Sequence, residues 1–302
     1  SLCGYSWTLR RCISLQEGRQ SVGHLSLHYR AAKHNTVIQR IKQGTDTMNK
    51  TLVASTVALL MPLSACATTD ADTEKSESRL TREQQAAKTE VWEPVPEVVS
   101  FDKAGVPSDS ISLIGDDLSN WTSVKEGDAK WTLENGVLTV KPGTGDIKTK
   151  AEFCDVQLHV EWKAPQPEAG MEGQQRNNSG IFLQQRYEIQ VLDSYQNKTY
   201  PNGQAASVYK QTIPLVNAMK APGEWQTYDI IYKAPTFNGE ALATKGYVTV
   251  IHNGVVVQNH TEIQGTTEWI GAPKYKAHGC APLQLQDHGN LVSFKNMWVR
   301  PL

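Results

Sequence analysis

Residues 177–193, NNSGIFLQQRYEIQVLD, read as two consecutive β-strands with little between them, and this stretch constrains the whole chain. In the second strand Ile189 and Val191 alternate with Glu188, Gln190 and Leu192, so one face is apolar and the other opens with a carboxylate and an amide. A polar face at the centre of an all-β domain is costly to bury without partners. It therefore lines a cleft or faces water. A sugar-binding cleft needs such a row, because hydroxyls pair with carboxylate and amide oxygens and with amide N–H groups.

The rest of the body repeats the strand theme. A Glu134-Asn135-Gly136 turn separates Trp131-Thr132-Leu133 from Val137-Leu138-Thr139-Val140, which is a hairpin signal. Val156, Leu158, Val160 and Trp162 alternate with Gln157, His159 and Glu161, and further short apolar runs follow to residue 300. Strand after strand with turn residues between them and hardly any helical period predicts an all-β fold, a two-sheet sandwich over residues 107–302. The chain's 302 residues, 39% of them hydrophobic, suffice for one large domain of this kind.

The part before residue 107 is different in kind. Residues 1–47 carry seven Lys and Arg against two Asp and Glu, so the body is acidic although the whole chain has a formal net charge of -1. That body has no basic stripe, which argues against a nucleic-acid partner. Met48-Asn49-Lys50 opens a short apolar run that ends in Leu63-Ser64-Ala65-Cys66. A charged start, a short apolar segment and small residues before a cut make a secretory signal, and the run is too short to span a bilayer. We therefore expect residues 1–47 to be a non-native or leader segment and residues 48–66 a signal peptide. The ending resembles a bacterial lipobox, which implies lipidation of Cys66, and Ala67 after it implies sorting to the outer membrane. The alternative is a genuine N-terminal region with an internal apolar helix. Residues 67–106 read as a tether holding a short helix and a Pro-rich linker. The expected location is the periplasmic face of the outer membrane or the cell surface, with membrane contact through the lipid alone.

Several motifs in the body occur in a telling order: Pro107-Ser108-Asp109, LIGDDLSNW (113–121), WTLENGVL (131–138), VQLHVEW (156–162), NNSGIFL, YEIQVLD, GEWQTY (223–228), HNGV (252–255), LQDHG (285–289) and FKNMWVRPL (294–302). Together they resemble the 3-keto-disaccharide hydrolase domain family, over about residues 107–302. The resemblance implies a jelly-roll sandwich of the concanavalin A-like lectin/glucanase type. It also implies cleavage of glycosides whose sugar has been oxidised at position three, the ketone being supplied by a separate sugar 3-oxidoreductase.

A ketone at C3 acidifies the hydrogen on C2. A general base removes it, the glycosidic oxygen leaves C1, and water adds back to the unsaturated sugar. The chemistry needs a base, an acid and donors to the enolate oxygen. It needs no cofactor. Glu188 is the first candidate for acid or base. In laminarinase-like glucanases, which the fold resembles, catalytic carboxylates alternate along one strand, and Gln190 stands here at the second position. That departure argues against an ordinary two-carboxylate glycosidase. Glu161 is the candidate second carboxylate, or else the partner of an arginine such as Arg186. His288, in Gln286-Asp287-His288-Gly289, suits proton transfer, or is a turn histidine bonded to backbone. Asn178 and Gln190 are candidate hydroxyl readers, Arg186 and Lys210 candidate holders of the enolate, and Trp225 a candidate stacking platform, each with a structural role as the alternative.

A divalent metal held by His159 with Glu161, or by Asp287 with His288, is the less favoured reading. Cys154 and Cys280 are the cysteines of the body and can pair if their Cα atoms lie within about 7 Å. The rival functions are a non-catalytic carbohydrate-binding lipoprotein and an ordinary glucanase-like glycosidase.

Overall fold

The computed structural model describes residues 80–302. The leader, the signal segment with Cys66 and the beginning of the tether lie outside the described residues. Ahead of the body is one short helix, α1 (Arg82–Ala87). The first strands are β1 (Ile111–Ser112), β2 (Trp121–Ser123), β3 (Thr132–Glu134), β4 (Val137–Thr139), β5 (Ile147–Phe153), β6 (Val156–Lys163), β7 (Ser179–Leu183) and β8 (Tyr187–Val191). Then follow β9 (Gln226–Lys233), β10 (Thr236–Asn238), β11 (Ala241–Thr244), β12 (Tyr247–His252), β13 (Val255–Glu262), β14 (Ala281–Leu285) and β15 (Ser293–Pro301).

These strands build the expected all-β two-sheet antiparallel sandwich. The larger sheet runs β13-β12-β9-β6-β15-β4-β3, with β1 also paired to β15, and the smaller runs β2-β5-β14-β7-β8. The β10–β11 hairpin stands apart. Two of the Asn-Gly pairs make the tight turns their chemistry favours: Asn135 and Gly136 have φ of 51° and 74°, and Asn253 and Gly254 have 51° and 81°.

Alternation decides which side of each strand is dry. On β6, Val156, Leu158, Val160 and Trp162 are fully buried, while Gln157, His159, Glu161 and Lys163 look outward. On the smaller sheet, Ile181, Leu183, Tyr187, Ile189, Val191, Leu283 and Leu285 form the opposing inner face. Burying each such side chain contributes roughly 1.5–3 kcal/mol of transfer free energy. Two tyrosines of β9 reach across this core. Tyr228 Oη donates to Gln190 O (2.9 Å) and Tyr232 Oη donates to Gln184 Oε1 (2.7 Å), so β8 is fixed from behind by polar contacts as well as packing.

β8 closes the smaller sheet, yet all five of its residues are buried. Residues 206–209 run beside it: Ala206 N donates to Gln190 O (2.9 Å), Gln190 N to Ser207 O (3.0 Å) and Tyr209 N to Glu188 O (3.1 Å). This segment removes the exposed edge and begins to roof the outer face. A disulfide joins Cys154 to Cys280, with Cα atoms 4.7 Å apart, tying the β5–β6 turn to the start of β14.

Candidate active site

The outer face of the smaller sheet carries the pocket. Phe182 pairs with Glu188 and Gly180 with Gln190 across β7 and β8, and Gln284 of β14 pairs with Phe182 on the other side. Period-two alternation brings these side chains to one surface. Loops covering that surface leave a cavity of about 340 Å³. Its floor includes Glu188, Gln190, Phe182 and Asn178, and its walls include Gln174, Tyr200, Tyr209, Thr267, Trp269, Gln286 and His288.

Glu188 is the pocket's chemical centre. It is 4% exposed, and no hydrogen bond reaches its carboxyl group from the described residues. Burial, reinforced by the nearby charge of Asp146, pushes that carboxyl up to about 8. The group therefore holds its proton at neutral pH. Its backbone is fixed on both sides, with Glu188 N donating to Thr267 Oγ1 (3.0 Å) and Glu188 O accepting from Tyr209 N.

His288 lines the same pocket from an exposed turn that is clamped at its base. Asp287 accepts from Gly145 N (2.9 Å) and Gly289 N (3.0 Å), and Asp287 N donates to Asp146 Oδ1 (2.8 Å). Asp146 in turn accepts from Gln284 Nε2 (2.8 Å). Beside this turn Gln286 is held by its backbone, with its N donating to Gly180 O (3.0 Å) and its O accepting from Ser179 Oγ (2.7 Å). Its Oε1 is buried without a hydrogen-bond partner among the described residues. A buried amide oxygen without a partner costs free energy, so this side chain is one of those here with hydrogen-bonding capacity left for a ligand.

Of the residues singled out from sequence, Glu188, His288, Asn178 and Gln190 meet in this pocket. Gln190 is not free to read hydroxyls. Its Nε2 donates to Gln174 Oε1 (3.0 Å) and its Oε1 accepts from Val191 N (3.1 Å), so its amide braces the floor. Asn178 Nδ2 donates to Gln174 O (2.8 Å), which leaves it one further N–H.

Four of the residues expected at the site are corrected in place, since they do not line this pocket. Glu161 does not join Glu188: it lies on the outer face of the larger sheet, bound by Asn296 Nδ2 (2.9 Å) and Lys295 Nζ (3.2 Å). Nor is Arg186 its partner. Arg186 sits in the β7–β8 turn with Nη1 on Gln184 O (2.7 Å) and does not line the pocket. Lys210 does not line the pocket; its Nζ donates to Trp269 O (2.6 Å) at the rim. Trp225 is no sugar platform in this pocket; it lies beyond it, with Lys163 Nζ 4.8 Å and Lys295 Nζ 4.4 Å from its ring centroid. His159 faces the same outer side as Glu161, bonded to Asp229 (2.6 Å). Among the described residues no three His, Cys, Asp or Glu side chains are grouped as metal ligands.

The pocket residues that sequence reading missed are Gln174, Gln175, Phe182, Tyr200, Tyr209, Thr267, Trp269 and Gln286. All but Phe182, on β7, and Gln286, just past β14, come from connecting segments, where no strand period announces a facing. Gln286 was within the LQDHG motif, and its even offset from Gln284 was the signal that could have marked it.

Amides and aromatic rings gathered round one buried carboxylic acid match the hydroxyls and ring faces of a sugar, and by fold and pocket this is a carbohydrate-active β-sandwich. Residues 109–300 match the 3-keto-alpha-glucoside-1,2-lyase-like domain, and the chain belongs to that family. Among solved structures, a candidate glycosyl hydrolase from Parabacteroides distasonis is 55% identical, with a TM-score of 0.68 over 72% of this chain and 96% of that one. A second from the same organism is 23% identical, with a TM-score of 0.48 over 64% of this chain and 94% of that one. No curated protein sequence matches the chain.

Proposed function

We propose that the protein cleaves 3-keto-α-glucosides by elimination across C1 and C2 followed by addition of water. The family supports the substrate class. The observation that carries the mechanism is the buried Glu188, which keeps a proton at neutral pH inside a pocket lined by a histidine and an unpartnered amide.

In this reading His288 takes the proton from C2 and the electron pair passes to the C3 oxygen as an enolate; its return forms the C1–C2 double bond as the C1–O bond breaks. Glu188 gives its proton to the departing oxygen. The Gln286 amide, turned with its N–H inward, holds the C3 oxygen while negative charge resides there. Water then adds to the unsaturated sugar, its hydroxyl to C1 and a proton to C2, with the two residues reversing roles. A positioned acid or base contributes typically 10²–10⁴-fold. An ordinary glycosidase needs two carboxyl groups facing the bond, and among the described residues Glu188 is the one carboxyl lining the pocket.

The same reading keeps the chain lipid-anchored through Cys66, on the strength of its Leu-Ser-Ala-Cys sequence. It sets the body in an oxidising compartment, in keeping with the Cys154–Cys280 disulfide. A separate oxidoreductase supplies the ketone.

Elimination leaves a mark. Run in D₂O, the reaction deposits deuterium at C2 of the released keto sugar, above the exchange of that sugar in buffer alone. The exposed His288 exchanges its proton with solvent before giving one back to C2, so retention of the original C2 hydrogen at early times would contradict elimination.

A further inference from the structure

The loop carrying Trp269 is built as a fixed wall. At its neck Thr266 N donates to Lys274 O (3.0 Å), and Gly265 passes so close to Lys274 that a Cβ there would lie 2.5 Å from backbone. Thr267 N donates to Arg186 O (2.8 Å) while its Oγ1 accepts from Glu188 N, so the loop is stitched to the strand that bears the candidate acid. Two residues on, Lys210 Nζ holds Trp269 O, and that same ammonium lies 5.7 Å from the Tyr200 ring centroid. Tyr200 is braced in turn by the hydroxyl of Tyr209 (2.7 Å).

This scaffolding presents an apolar ring to water. Trp269 is 72% exposed and Tyr200 38%, although both line the pocket whose floor residues Glu188 and Gln190 are 4% and 1% exposed. A large aromatic held open at a pocket rim gains free energy by covering a ring face. The pocket is thus polar at depth and aromatic at its mouth. If the keto sugar sits at depth, against Glu188, the group it releases lies at the mouth.

We propose that Trp269, with Tyr200, forms the subsite for the leaving group, and that this group is a ring with an apolar face, a second pyranose or an aryl. The inference rests on the reading of the pocket as a 3-keto-glucoside site. It makes the protein a selector for ringed aglycones over small alkyl ones.

The test measures binding in the Glu188→Gln protein, where turnover is suppressed, by calorimetry with methyl 3-keto-α-glucoside, 4-nitrophenyl 3-keto-α-glucoside and 3-keto-trehalose. The expected preference for the ringed ligands over the methyl glycoside is about tenfold. Adding Trp269→Ala should cut that ratio to near one, and Trp269→Phe should keep part of it. A preference confined to the aryl or to the trehalose ligand would support the subsite and name its occupant. A ratio unchanged by Trp269→Ala, or an equal loss for all three ligands, would overturn the proposal. Wild-type turnover reports on the reaction separately: a Trp269-dependent preference without cleavage would sink the reaction and leave the subsite standing. Binding of none of the three would overturn both.

Discussion

The Glu188 carboxyl occupies the space above Gly180: a Cβ added at Gly180 would lie 2.6 Å from Glu188 Oε1 and 2.9 Å from Phe182 Cε2. The missing side chain on β7 is what lets the acid of β8 fold over the sheet. In Gly180→Ala the flexible end of Glu188 is the part that gives way. We expect kcat/KM on a 3-keto-glucoside to fall at least about tenfold, since a small misplacement of a reacting group is costly, with the thermal midpoint nearly unchanged. Undiminished activity in a folded Gly180→Ala protein would mean that the placement of Glu188 is unimportant.

The same carboxyl makes stability depend on pH. Its folded value is raised by burial to about 8, whereas in the unfolded chain it titrates at roughly 4.3. Between these limits the folded protein keeps a proton that the unfolded chain releases. Stability from this group is therefore full below the lower limit and is lost as pH rises, at roughly 1.4 kcal/mol per pH unit. Glu188→Gln should remove this group's share of the slope, so its denaturation midpoint should overtake the wild type most clearly near pH 8. Parallel curves for the two proteins between pH 5 and pH 8 would refute it.

Catalysis reads that proton in the same window. As the acid for the leaving group, Glu188 must be protonated, so kcat/KM should decline as pH rises through about 8. A rate that instead climbs through this range would make Glu188 the base.

A buried ion pair holds the entrance to β7. Arg176 Nε lies 2.8 Å from Asp193 Oδ2, and Asp193 is fully buried, with burial raising its carboxyl and Arg176 opposing that rise. Arg176→Ala strands the carboxylate and should cost about 3–5 kcal/mol in urea unfolding. Replacing both partners, Arg176→Met with Asp193→Leu, should recover much of the loss. A cost for Arg176→Ala under about 1 kcal/mol would contradict the burial of this pair.

How far the sequence carried can be seen in Glu188 and Glu161. Both sit on strands with a clear period of two, and in both the period correctly puts the carboxylate on the face away from the core. Period identifies a face within a strand but not which of two sheets the strand joins, and β6 and β8 fall in different ones. Asp193 stands at an odd offset from Glu188, which in a regular strand faces the other way, and it does turn away to Arg176. Trp225 and Lys210 had no period to place them, and their neighbours, Lys295 and Trp269, are remote in sequence. The aromatic mouth was illegible because Tyr200 and Trp269 lie on connecting segments whose positions are set by hydrogen bonds to residues remote in sequence, such as Thr267 to Arg186.

The most direct measurement incubates the purified protein with 3-keto-trehalose and, separately, with unoxidised trehalose, following release of free sugar by NMR. The account predicts turnover of the keto sugar alone, reduced about 10²–10⁴-fold in Glu188→Gln. Cleavage of unoxidised trehalose at a comparable rate would contradict it.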